Sequence, residues 1–182
     1  MSAHTANLLG ALVVSLHDRM SEAFEEEAAQ TETGAATLTS LDQFLDQPTI
    51  GRLNQVVGLT HSGAVRLLDR LESDKQLRRV PGADGRSRSV ELTRSGQRAA
   101  RRVAERRAEV LQKAMSALSA KERKTLDALL SRMLVELMRG PGATRWMCRL
   151  CDMDACERDR GGCPVANAAA ERFGAGDRPA AS

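Results

Sequence analysis

Residues 58–96 read GLTHSGAVRLLDRLESDKQLRRVPGADGRSRSVELTRSG, and a change of period inside this stretch sets the architecture. Gly58 supplies a turn, because glycine takes positive φ at no steric cost. Thr60 is placed to cap a helix running from His61 to about Asp74. On that helix Val65, Leu68 and Leu71 can face a core, with Leu67 at the edge, while His61, Ser62, Arg66, Asp69 and Arg70 line the other side. The period then shortens. Leu77–Val80 and Ser89–Leu92 read as two strands, and the run from Pro81 to Arg88 between them is rich in turn formers with basic tips. Thr93 can cap the next long helix, which extends to about Ala117.

Working outward, Leu8, Leu9, Leu12, Val13, Leu16, Met20 and Phe24 recur at helical steps and predict a long first helix over residues 4–29, ended by Gly34 and its small neighbours. A short helix is expected over Ser40–Asp46, limited by Pro48, and another over Ile50–Val57 capped by Thr49. Ser119 and Glu122 form a capping box, and the helix they open, to about residue 139, carries Leu126, Leu129, Leu130, Met133, Leu134, Leu137 and Met138 on one stripe. Gly140-Pro141-Gly142 stops it. The fold expected is mainly α with a small β-hairpin wing, a winged helix-turn-helix flanked by long dimerisation helices. Its parts are an N-terminal dimerisation helix (1–36), the winged domain (37–96), long helices completing the dimer interface (97–140), a cysteine-rich metal-binding segment (141–166) and a flexible tail (167–182).

Bulk properties agree. Aromatic residues are 2% of the 182 residues while hydrophobic residues are 42%, which favours packed helices over a β-sandwich. No run approaches the ~20 apolar residues of a membrane span, and the first ten residues have no secretory pattern, so a cytoplasmic location, at the nucleoid when bound, is expected. Net charge is only +3, but residues 1–47 carry one basic and eight acidic side chains and residues 61–113 carry fourteen basic and seven acidic. A basic middle beside an acidic start suits a nucleic-acid binder. The histidines, His4, His17 and His61, form no nucleophile–base pattern, and no phosphate-binding glycine motif is present, so an enzyme is not expected.

A helix fits the major groove of duplex DNA, where an arginine can hold guanine by two hydrogen bonds. Thr60, His61, Ser62, Arg66 and Arg70 are the candidate contacts of that helix, and Ser62 and Gly63 are small enough to let the backbone approach. Arg86 and Arg88 at the hairpin tip can enter a minor groove. Arg78, with Arg79, Arg94 and Arg98, could reach phosphates. The stretch from Thr49 to Gly96 resembles the winged-helix domain of the MarR family (multiple antibiotic resistance regulators), through GLTHSGAVRLLDRLE, Asp84-x-Arg86 and ELTRSG, and the order of flanking helices extends the resemblance over roughly residues 4–139. The resemblance implies a homodimeric transcription regulator, usually a repressor, on a pseudo-palindromic operator of double-stranded DNA and released by a small-molecule inducer or by oxidation. It also implies that His61, Ser62 and Arg66 face base edges and that Asp84 orients the loop of Arg86. SDKQL stands where a glycine-containing turn is common in the family.

Four cysteines fall in the pattern Cys148-x2-Cys151-x4-Cys156-x6-Cys163-Pro164. Thiolates so close in sequence can surround one centre at little entropic cost, and Arg145, Arg149, Arg158 and Arg160 would favour thiolate forms. A four-cysteine metal centre is expected. The uneven spacing and Cys-Pro ending put an iron–sulfur cluster slightly ahead of zinc; a metal-free thiol switch is the remaining outcome. With a cluster the regulator could sense redox state or metal. With structural zinc it would be ligand-responsive. An electron carrier leaves the winged domain unexplained, and an interaction module that has lost DNA binding leaves Arg66, Arg70, Arg86 and Arg88 unexplained.

Overall fold

The computed structural model describes residues 2–26, 28–82 and 85–174. In chain order the elements are α1 (Ala3–Glu26), α2 (Glu32–Gln43), α3 (Ile50–Val57), α4 (His61–Ser73), β1 (Leu77–Pro81), β2 (Arg88–Leu92), α5 (Arg94–Met115), α6 (Ala120–Glu136), α7 (Ala143–Met147), a 3-10 turn (Arg158–Arg160) and α8 (Pro164–Phe173). The mainly helical fold with an antiparallel hairpin is as expected from the sequence. β1 and β2 pair from Leu77 with Leu92 to Pro81 with Arg88.

The caps explain where helices begin. Thr49, Thr60 and Thr93 each accept a hydrogen bond from the backbone N–H three residues on, satisfying donors that a helix start leaves orphaned. Ser119 and Glu122 make the reciprocal capping box. Gly58 ends α3 at φ +70°. At the end of α4 the amide of Gln76 donates to the Leu71 carbonyl and that of Lys75 to Glu72, so Lys75, at φ +57°, occupies the left-handed position usually given to glycine. SDKQL therefore makes an ordinary helix stop without the glycine.

The winged domain closes around Ala36, Leu45, Leu53, Val56, Leu67, Leu68, Leu71, Leu77 and Val90. Leu67 lies inside this core and Val65 at its margin, the reverse of the sequence expectation. The hairpin is anchored at its root, where Val90 N–H donates to the Pro48 carbonyl and Thr49 bridges Ser89. Gly96 sits in the first turn of α5 against the Gln76 carbonyl, leaving no room for a side chain. α5 then runs under α1 and α2, joined by Phe24, Ala28, Ala35 and Val103 and by Leu38, Ala99 and Ala100.

Two boundaries differ from expectation. α2 starts at Glu32, capped by Thr31, whose hydroxyl accepts from Gly34 N–H. Gly34 thus lies in the first turn of a longer helix, where a Cβ would meet Gln30 Oε1 at 2.6 Å, and does not terminate the previous one. The expected tail at 167–182 is helical as far as Phe173, because Val165 and Ala169 bury against Met138 and Ala143; residues 175–182 lie outside the described residues.

Large apolar surfaces remain open. Leu8, Leu12, Val13 and Val14 on α1 are 50–59% exposed, and α6 has no buried residue, with Leu129, Leu130, Met133 and Leu134 all exposed.

Candidate nucleic-acid interface and cysteine centre

The N-terminal turn of α4 is held by the Thr60 cap, with Ser62 Oγ 3.4 Å from the Thr60 hydroxyl. His61, Ser62 and Arg66 are exposed on the face opposite Ala64, Leu67, Leu68 and Leu71. A free helix start with small residues and one arginine a turn further on suits a backbone phosphate at the N-terminus and a base edge beyond it.

The other sequence-selected arginines divide. Arg88 is exposed at the wing, and Arg86 is exposed beside it. Gly82 and Gly85 shape the tip: Gly82 N–H donates to Ser87 O, and Gly85 N–H donates to Gly82 O at φ +66°. Asp84, expected to orient this loop, lies outside the described residues. Arg70 is directed sideways, its Nη2 donating to Thr31 Oγ1 at 3.0 Å, which ties α4 to the start of α2. Arg78 pairs with Glu91 across the hairpin. Arg79 is bound to Asp69 at 2.6 Å and to Glu72, and the Asp69 hydrogen bond leads in raising its pKa above the usual arginine value. Arg79 thus brackets α4 to β1, and Asp69, its partner, stays on the exposed face of α4 as expected. The exposed Arg94, Arg98, Arg101 and Arg102 on α5 extend the basic surface.

The cysteines form a second locus. Cys151 N–H donates to the Cys148 carbonyl in a tight turn. Loop 157–162 folds back on itself, with Gly162 N–H on Glu157 O, Glu157 at φ +48° and Gly161 at φ +78°. A Cβ on Gly162 would stand 2.8 Å from Glu157 Cβ, so the loop closes only because this residue is glycine, and closure brings Cys156 to Cys163 within one cluster. Cys163 caps α8, its Sγ accepting from Ala166 N–H at 3.4 Å.

The four thiols interact. Hydrogen bonding from the Cys148 thiol, the Ala166 amide and the nearby Arg158 lower the Cys163 pKa; Cys148 and then Arg107 do the same for Cys151. Cys148 is pushed up by its thiol neighbours Cys151 and Cys163, and Cys156 chiefly by burial. Among the described residues no group of three or more His, Cys, Asp or Glu side chains stands in metal-holding geometry, although the four thiols lie near enough to shift one another's protonation.

Sequence reading missed how this segment docks. Ser40 Oγ donates to the Arg149 carbonyl at 3.3 Å, and Met153 N–H donates to Gln43 Oε1 at 2.9 Å. Arg149 stacks 5.4 Å over Trp146, on a helix that packs beside α3. Leu150 packs against the winged core and the α1–α5 cluster.

This geometry defines a winged helix-turn-helix fold, the fold of MarR-type regulators. Among solved structures the chain is similar to MepR, a transcription regulator of the Staphylococcus aureus multidrug efflux pump MepA, at 23% identity over 75% of this chain and 99% of that one, with a TM-score of 0.63. The S. aureus MepR–DNA complex matches over the same shares at 23% and 0.58. The reduced form of MarR from E. coli matches at 25% over 69% of this chain and 96% of that one, with a TM-score of 0.57. The sequence matches no protein-family model and no curated protein. No helix among the described residues is long and apolar enough to cross a membrane.

Proposed function

We propose that this chain is a MarR-type transcription regulator that binds double-stranded DNA as a homodimer and represses the genes beside a pseudo-palindromic operator. One observation carries the reading: a capped helix presents His61, Ser62 and Arg66 outward, next to a hairpin carrying exposed Arg86 and Arg88. A rod sized for the major groove beside a cationic ribbon sized for the minor groove is a duplex-binding pair. The similarity to a MepR–DNA complex supports it. The uncovered apolar faces of α1 and α6 support a second copy as partner, and two-fold symmetry would place two recognition helices about 34–36 Å apart. The place of action is then the cytoplasm, at the nucleoid.

The test is selection of genomic fragments by the purified chain, followed by binding titrations over a salt series. A palindromic consensus and a steep fall of affinity with salt are expected; binding without sequence preference contradicts the reading. A small-molecule inducer has a candidate site in a cavity of about 210 Å³ between α2, α5 and the cysteine segment, lined by Thr39, Arg107, Leu111 and Cys151. The Thr39 hydroxyl is buried there without a partner.

A further inference from the structure

The cysteine segment does more than sit beside the winged domain, and its placement suggests a role. On one side α8 packs on α6, the helix with the open apolar face. On the other, Arg149 and Met153 hydrogen-bond Ser40 and Gln43 of α2, and α7, which carries Trp146, packs beside α3. Between these attachments the chain from Cys148 to Cys163 has almost no regular structure. Its apolar anchoring is limited to Leu150 against the winged core and the α1–α5 cluster, and to Cys163, with Val165 and Ala169 just beyond, against Met138 and Ala143. A loop with so small a core needs a crosslink or a metal to be stiff.

We propose that Cys148, Cys151, Cys156 and Cys163 ligate one iron–sulfur cluster, and that the cluster stiffens residues 148–163 into a strut joining α6 to the DNA-binding helices. An all-thiol ligand set with a Cys-Pro end and no second Cys-x2-Cys pair suits a cluster. The Ala166 amide donates to Cys163 Sγ, and Arg107 lines the same cavity as Cys151, so a hydrogen-bond donor and a positive charge stand beside the sulfurs. Each thiol loses its proton on ligation, and no electron transfer is required of the protein. With the strut intact, α2 is fixed and α4 is correctly aimed. Without it, the bonds to Ser40 and Gln43 loosen and affinity for DNA falls by about tenfold, a typical coupling between two sites. The second part rests on the proposed DNA-binding function; the first does not.

The experiment uses full-length chain purified without oxygen. Iron, inorganic sulfide and zinc are measured per chain for the parent and for C148S, C151S, C156S and C163S, with circular dichroism as a check of folding. Iron and sulfide in equal amounts, lost in each variant while helix content is kept, are expected. Zinc without iron, no metal, or full iron retention by folded C148S and C163S overturns the cluster. Operator binding is then compared before and after removal of iron by a chelator, for the parent and for Gln43→Ala. The parent should lose about tenfold and Gln43→Ala, with its iron intact, should lose less. Equal affinities in loaded and stripped parent overturn the strut. Absence of binding in both states would instead refute the regulator reading and leave the metal result standing.

Discussion

Gly96→Ala is the substitution whose cost can be worked most directly from the structure. A Cβ at this position would lie 1.8 Å from the Gln76 carbonyl oxygen, 2.8 Å from its carbon and 3.0 Å from Leu92 Cδ2. Reaching an ordinary carbon–oxygen contact of about 3.3 Å requires a shift of roughly 1.5 Å. The Gln76 carbonyl cannot move that far freely, because it accepts from Thr93 N–H at 3.0 Å and from Thr93 Oγ1 at 3.2 Å. The same Thr93 hydroxyl caps α5 through Gly96 N–H at 3.1 Å. Loss of two hydrogen bonds at about 1 kcal/mol each, together with a cap of about 1 kcal/mol, gives a destabilisation of about 3 kcal/mol. Chemical denaturation monitored by circular dichroism measures it. Gly51→Ala is the control, since a Cβ there meets nothing within 4 Å; it should be neutral or slightly stabilising. If Gly96→Ala is as stable as Gly51→Ala, the account of the junction between hairpin and α5 is wrong.

Further outcomes follow from the same physics. Lys75→Gly relieves a left-handed lysine and should stabilise by about 0.5 kcal/mol after glycine's own entropy is discounted, seen as a higher denaturation midpoint. Leu134→Asp, on the open face of α6, should convert a dimer to monomers in light scattering with little change in the monomer's helix content. Glu122, held below the usual carboxylate pKa first by the Ser119 hydroxyl and then by its amide, contributes its capping above the unfolded pKa and loses it as pH falls through the lowered folded value. Helix content of α6 should therefore drop in acid below the ordinary carboxylate range, and Glu122→Ala should abolish that step.

Much of this was legible because it is local. Thr49, Thr60, Thr93 and Ser119 mark helix starts through bonds spanning three residues, and the hairpin follows from strand-forming runs around a Gly-rich turn. What depends on distant packing was not. Gly34 reads as a helix end because what fixes it, Arg70 and a Gln30 held by Gln76, is distant in sequence. The helix after Cys163 reads as a tail because its face is largely alanine, a weak core signal until Met138 and Ala143 bury it. Leu67 and Val65 exchanged places because periodicity cannot fix the rotation of a helix within one residue. Arg70, Arg78 and Arg79 look equivalent to Arg66 in sequence, and only Thr31, Glu91 and the Asp69–Glu72 pair show that they are engaged within the fold.

The most direct measurement is operator affinity across a salt series for the parent, Arg66→Ala and the Arg86→Ala/Arg88→Ala pair. Arg66→Ala should cost about 1–3 kcal/mol and relax preference at its base position, while the wing variant should weaken binding and flatten the salt slope. Unchanged affinity and slope in both would mean that the helix and hairpin do not face DNA.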